Sequence, residues 1–207
     1  MGIIADKIVF PLANGETIDT NSQADTSINI MWLNNDNMCY KIPYTHYRRE
    51  EPRAVVVYSH GNAENLYRLD PYLRTMSEDL NVDVVCWEYA GYGPHKLIDT
   101  SSPSEQNVYS DVKRVMEHVF AFYTEDIRVV LWGRSLGSAP SIYACACYDG
   151  TVDGLVVESG FRSCVRVLQP SWVASTIHSV FDMFDNENEL EKITSVPILF
   201  VHGEQDT

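Results

Sequence analysis

The pentapeptide Gly133-Arg134-Ser135-Leu136-Gly137 constrains this chain more than any other stretch. It follows the apolar run Ile127-Arg128-Val129-Val130-Leu131-Trp132 and opens a helical pattern from Leu136 to Tyr148. A strand that reverses into a helix within a few residues strains the backbone at the turn. Glycines on either side remove the Cβ atoms that would clash, leaving the serine oxygen free at the apex. The pattern therefore predicts a nucleophile elbow at Ser135. The flanking strand and helix carry the prediction, because Gly-x-Ser-x-Gly alone is common.

From Arg53 onward the pattern alternates between strand and helix. Ala54–Tyr58 is a continuous apolar run, as in a strand buried on both faces. Asp70-Pro71 reads as N-cap and first residue of a helix with Leu73, Met76 and Leu80 on one face. Val82–Trp87 is the next strand, and Ser102-Pro103-Ser104-Glu105 reads as a capping box. The helix it opens places Val108, Val112, Val115, Met116 and Val119 at helical spacing. Strands are expected at Val152–Val157 and Ile198–Val201, with mixed structure over 161–190. This order implies an α/β fold with a mainly parallel sheet covered by helices on both faces. Residues 1–53 read as a β segment of the same domain, and 54–207 as its core. In that segment Asn14-Gly15 is a hairpin signal between Ile8–Phe10 and Thr17-Ile18, and Ile28, Ile30 and Trp32 alternate as in a half-buried strand.

Composition narrows the function. The 207 residues carry 15 basic and 29 acidic side chains, a net charge of -14. A nucleic-acid partner requires a basic footprint, which this balance argues against. It also offers no attraction to an anionic membrane leaflet. The five cysteines, Cys39, Cys86, Cys145, Cys147 and Cys164, have neither zinc-site nor disulfide-framework spacing. They fit a reducing compartment, and no metal or cofactor is expected. Cys86 reads as a small core hydrophobe. Cys145 and Cys147, two apart on a helix, face different directions. No apolar run approaches the ~18 residues of a spanning helix. Met1-Gly2 opens like a myristoylation signal, but Asp6 stands where Ser or Thr is wanted.

Several ordered segments carry a resemblance. They are Ser59-His60-Gly61-Asn62-Ala63, Tyr89-Ala90-Gly91-Tyr92-Gly93, Gly133 to Pro140, Phe181-Asp182-Met183-Phe184 with Ile193-Thr194, and Val201-His202-Gly203-Glu204-Gln205-Asp206. Over about three quarters of its length the chain resembles the α/β-hydrolases. More narrowly, it is similar to the α/β-hydrolase-domain palmitoyl-protein thioesterases and their microbial relatives. The resemblance implies cleavage of acyl thioesters or esters through an acyl-serine intermediate, with a lipidated protein as one class of substrate. Animal members carry a palmitoylated cysteine-rich amino terminus. Here no Cys precedes Cys39, so membrane attachment is not expected from that feature, and the expected setting is cytoplasmic, at most peripheral to membranes.

The expected roles follow. Ser135 is the nucleophile, and backbone N–H groups of Leu136 and of Asn62, with Ala63 as the alternative, form the oxyanion hole. Asp206 is the triad acid, with Glu158 as the rival position, and His60 is structural because it precedes the oxyanion turn. Trp172, Val173, Phe181 and Phe184 are candidates for an acyl pocket or for core. Triad order in this fold is Ser, acid, His, yet no His follows Asp206. The expectation is a chain missing the last strand, the catalytic His and the closing helix, with enzymatic activity left open. Among the histidines present, His178 is the one that could approach Ser135 from the segment over the strand ends. Two other readings stay open: a non-catalytic hydrolase-fold binding module, and a carboxylesterase or serine peptidase of the same superfamily.

Overall fold

The computed structural model describes residue 10 and residues 28–37, 40–97, 103–123, 126–162 and 183–204. The expected hairpin at Asn14-Gly15, as well as Cys39, Ser102 and Cys164, lie outside them. Seven strands form one sheet among the described residues: β1 Met31–Asn35, β2 Tyr40–Tyr47, β3 Ala54–Ser59, β4 Asp83–Trp87, β5 Arg128–Arg134, β6 Gly154–Glu158 and β7 Ile198–Val201. Their spatial order is β1-β2-β4-β3-β5-β6-β7. The β1–β2 and β2–β4 pairs are antiparallel, and β4–β3, β3–β5, β5–β6 and β6–β7 are parallel. Helices α1 Leu66–Leu80, α2 Glu105–Phe122, α3 Ser138–Cys147 and α4 Asn186–Leu190 supply the crossovers and covers. This is the expected α/β-hydrolase architecture.

Both faces of β3 are buried, which explains its unbroken apolar run. Val55 and Val57 point into a core shared with Val108, Val112, Val115, Met116 and Val119 of α2 and with Ala139 and Ile142 of α3. Val56 and Tyr58 point the other way, against Leu66, Leu69, Leu73 and Met76 of α1. Leu80, expected on that face, is exposed. The aromatic Phe184 is core, packing edge-to-face on Phe10 and Tyr109. Cys86 is buried in β4; Cys145 is buried and Cys147 exposed, as expected of positions two apart. No helix among the described residues is long and apolar enough to cross a membrane.

Three local expectations are corrected. Helix α1 starts at Leu66, not at Asp70-Pro71: Asn65 caps it by accepting from Arg68 N at 3.0 Å, and Glu88 accepts from Leu66 N at 3.1 Å. With those first N–H groups satisfied the helix gains a turn, and Pro71 sits inside it, forgoing one intrahelical bond. Asp70 is instead a buried acceptor for Tyr47 Oη and Arg74 Nε. Helix α2 is capped by Ser104, which accepts from Asn107 N, so Glu105 is its first residue and accepts from Phe184 N at 2.6 Å. In β1 the inward residues are Leu33 and Asn35, while Trp32 is exposed, the opposite of the parity that Ile28, Ile30 and Trp32 suggested. Pairing Leu33 with Ile42 sets that register, and a one-residue shift exchanges the faces.

Asn35 is drawn inward by Asp111. This fully buried carboxyl accepts from Asn35 Nδ2 at 2.7 Å and from Tyr40 Oη at 2.9 Å. Burial drives its pKa up to about 7, against the pull of those two donors. Between the ordinary carboxylate value, about 4, and 7, the folded chain keeps a proton that the unfolded chain has lost. Stability conferred by this site is therefore full below that window and falls as pH rises through it. Asp111→Asn abolishes the titration. Denaturant unfolding should show the variant gaining on the parent from pH 5 to pH 8, by on the order of a few kcal/mol, with no further gain above pH 8. A stability difference independent of pH would refute the assignment.

Candidate active site

Strands β3, β4, β5 and β6 all end at one edge of the sheet, where an open α/β fold gathers its loops. Ser135 is the first residue past β5 and is exposed, with φ +49°. A left-handed backbone is costly for a residue with a Cβ, so the surrounding contacts must hold it. They do so through two glycines. A Cβ on Gly133 would meet the Gly137 carbonyl carbon at 2.7 Å, and one on Gly137 would fall onto the carbonyl oxygen of Ser59 and lie 2.8 Å from that of His60. The turn closes as one 3₁₀ turn, Ser135–Gly137, before α3 begins, and Ser138 Oγ donates to the Ser135 carbonyl at 2.6 Å. The helix amino terminus behind Ser135 favours negative charge there.

The same close approach brings the loop after β3 to the elbow. Gly61 lies beside the Arg134 carbonyl, 3.6 Å from where its Cβ would be. The loop turns at once, with Glu64 N donating to the Gly61 carbonyl at 3.2 Å and Gly61 N donating to Glu64 Oε2 at 2.7 Å. Tyr92 Oη donates to Asn62 Oδ1, and Tyr89 Oη donates to the His60 carbonyl at 2.6 Å. The Tyr89–Gly93 segment thus braces the Asn62 loop from behind. Arg134 joins the pieces at the surface, pairing with Glu64 at 2.5 Å and with Glu158 at 3.4 Å. Exposed pairs of this kind add little stability, but they fix relative position.

Of the four expected site residues, Ser135, Leu136 and Asn62 fall on the two adjoining turns. Asp206 lies outside the described residues, as do His178, Trp172, Val173 and Phe181. The strand leading to Asp206 is β7, whose bounds are those expected. Val201 is in register with Glu158, and Glu158 with Arg134. The chain therefore leaves β7 level with the elbow, two strand spacings or about 10 Å away. The rival acid Glu158 is already engaged, accepting from Trp132 Nε1 at 2.9 Å and pairing with Arg134.

Five histidines are described. His60 is fully buried, its ring between Glu88 Oε1 at 2.8 Å and the Gly61 carbonyl at 2.9 Å. His46 contacts Tyr123 Oη at 2.7 Å, His95 packs on Tyr40, His118 packs on Tyr44, and His202 follows β7 in a groove with Phe161 and Leu190. The missed residue is Glu88. It stands at the end of an apolar strand, Val84-Val85-Cys86-Trp87, two positions beyond Cys86, which the β3–β4 register aligns with Tyr58. A charge in that position, level with His60 on the neighbouring strand, was the available signal. Among the described residues no His, Cys, Asp and Glu cluster could hold a metal ion.

A family model described as serine aminopeptidase, S33, matches residues 50–181. Among curated proteins, alpha/beta hydrolase domain-containing protein 17B of Homo sapiens is 28% identical over 155 residues, 74% of this chain and 50% of that protein. The Xenopus laevis protein of the same name is 29% identical over the same shares. The chain thus spans about half the length of the curated relatives it matches. Among solved structures, an alpha-beta hydrolase from Vibrio vulnificus superposes with a TM-score of 0.72 at 17% identity, covering 98% of this chain and 76% of that one. A monoglyceride lipase from Saccharomyces cerevisiae gives 0.59 at 13% identity, over 89% and 79%. At these identities the likeness establishes the fold.

The elbow's dependence on glycine can be checked directly. Gly137→Ala forces a methyl onto a backbone oxygen that cannot step aside, and should lower stability by about 3 kcal/mol or more, or prevent folding. Gly154→Ala meets only Val130 side-chain carbons at 3.7 and 3.8 Å, and should change stability by less than about 1 kcal/mol. Equal melting temperatures for the two variants would contradict the close approach described above.

Proposed function

The chain belongs to the serine aminopeptidase S33 family, and on that premise we propose that it is a serine hydrolase acting on acyl esters and thioesters through an acyl-serine intermediate. The observation that carries the reading is Ser135 itself: an exposed hydroxyl on a strained, left-handed residue between two glycines that tolerate no side chain. Ser135 Oγ attacks the substrate carbonyl and loses its proton to a general base as the new C–O bond forms. The negative charge moves to the carbonyl oxygen, where the N–H groups of Leu136 and Asn62 receive it. The thiolate or alkoxide leaves with a proton from the base, and water then releases the acid by the same route in reverse.

Asp206 is the proposed acid that orients the base. Among the described histidines His60 is occupied, with both ring nitrogens engaged, and His46, His95 and His118 pack on Tyr123, Tyr40 and Tyr44. The similarity to palmitoyl-protein thioesterases supports a long acyl chain on a protein cysteine as the substrate class. The family description supports a peptide bond instead. Both are attacks on an acyl carbon by the same serine, so the substrate and not the elbow separates them.

A fluorophosphonate probe tests the nucleophile. We expect labelling of Ser135, mapped by peptide mass and abolished in Ser135→Ala. Labelling at another residue, or none, would sink the proposal. A panel of palmitoyl-cysteine peptides, short esters and aminoacyl amides then tests the substrate class. Turnover of the amides above the thioesters would transfer the assignment to peptide hydrolysis.

A further inference from the structure

The buried pair His60–Glu88 has no part in the acyl-transfer steps above, yet it lies under the proposed oxyanion turn. Both side chains are fully enclosed. The two neighbours of the imidazole are a carboxylate oxygen, Glu88 Oε1 at 2.8 Å from Nε2, and a carbonyl oxygen, that of Gly61 at 2.9 Å from Nδ1. A carbonyl oxygen only accepts, so Nδ1 carries a proton, and against an ionised Glu88 Nε2 carries one as well. The Tyr89 ring lies against the imidazole at a centroid distance of 4.2 Å, an aromatic face that suits a cation. Glu88 is held in turn, its Oε2 accepting from Leu66 N. A Cβ on Gly93 would strike that carboxylate, so Gly93 leaves the space Glu88 occupies.

What this arrangement does follows from one peptide plane. The carbonyl of Gly61 and the N–H of Asn62 belong to the same trans peptide and point in opposite directions. Donors from His60 Nδ1 and Glu64 N hold that carbonyl inward. The Asn62 N–H is thereby turned to the opposite side, at a loop packed against the elbow. Resting on the reading of Ser135 as nucleophile and Asn62 as oxyanion donor, we infer that His60 is a positioning residue, held as an imidazolium by Glu88, that aims the Asn62 N–H toward the oxyanion.

Burial by itself pushes the His60 pKa down, but the charge and hydrogen bond of Glu88 and the Gly61 carbonyl outweigh it, and the net direction is up. The titratable groups facing the ring are Glu88 at the end of β4, Glu64 in the loop before α1, and Tyr89 and Tyr92 after β4. Glu64 is itself paired with Arg134 from β5.

The test measures the rate of fluorophosphonate labelling at Ser135 in the parent, His60→Gln and Glu88→Gln, with melting temperatures recorded alongside. The phosphonyl oxygen occupies the oxyanion position, so a misaimed donor should slow labelling by about 10- to 100-fold. In Glu88→Gln the imidazolium loses its counter-charge and burial draws its pKa below the ordinary histidine value, about 6.5, so the variant-to-parent rate ratio should be lowest at pH 7 and above and recover as pH falls below about 6. A merely structural role would lower the melting temperature without that pH dependence. A parent that labels, with variants that label equally fast at every pH, overturns this inference and leaves Ser135 in place. A parent that does not label overturns both. Should the variants fail to fold, ¹⁵N spectra of the parent's histidine rings decide. Both His60 nitrogens should be protonated at pH 7, and a neutral ring there overturns the inference.

Discussion

Where β3 and β5 leave the sheet side by side, Gly137 rests on the carbonyl oxygens of Ser59 and His60 with no room for a single methyl group. That backbone-to-backbone approach joins the two turns on which the proposed chemistry depends. It holds Ser135 in a left-handed conformation that an isolated chain would leave, because the cost is of order 1–3 kcal/mol and the packing of two covered strands outweighs it. It also sets the Asn62 loop against the elbow. The rest of the architecture serves this contact: β3 is central, buried on both faces, and paired in parallel with β4 and β5.

Buried acids recur around this centre, and each is handled differently. Glu88 is matched by a cation and by the first N–H of α1. Asp83 receives Arg49 N at 2.7 Å and Tyr123 Oη at 2.5 Å, fastening the start of β4 to the end of β2 and to the carboxyl end of α2. Asp111 receives only neutral donors, and its proton affinity rises accordingly. A carboxyl removed from water with no opposite charge beside it favours its protonated form, as at Asp111. A partly exposed acid can serve as a clasp without such cost. Asp149 accepts from the backbone and hydroxyls of Thr194 and Ser195, anchoring the chain just before it enters β7.

Much of the fold was legible because its elements carry strong local patterns. The valines and methionine of α2 repeat at helical spacing and are all buried, and β7 runs over the residues expected. Helix starts were less legible. Asp70-Pro71 has the local chemistry of an N-terminus, but Asn65 and a carboxylate 22 residues away, Glu88, satisfied the earlier N–H groups. The parity of β1 was misread because Asn35 is polar by type and buried by virtue of Asp111, 76 positions further on. In the site, the glycines and the serine announced the elbow. The His60–Glu88 pair did not announce itself, since a lone acid at a strand end looks solvated until the adjacent strand is known.

The sequence by itself determined the alternation of strands and helices, the turn at Ser135 and the acidic character of the chain. These properties are local or additive: period, steric demand at a few consecutive residues, and summed charge. Only the tertiary structure decided which of two polar residues capped each helix, which face of β1 turned inward, and which buried acid met a cation. Those outcomes depend on partners distant in sequence that the sheet order brings together. For a polar group leaving water, the free energy is set by the neighbour it finds and not by the residues beside it in the chain.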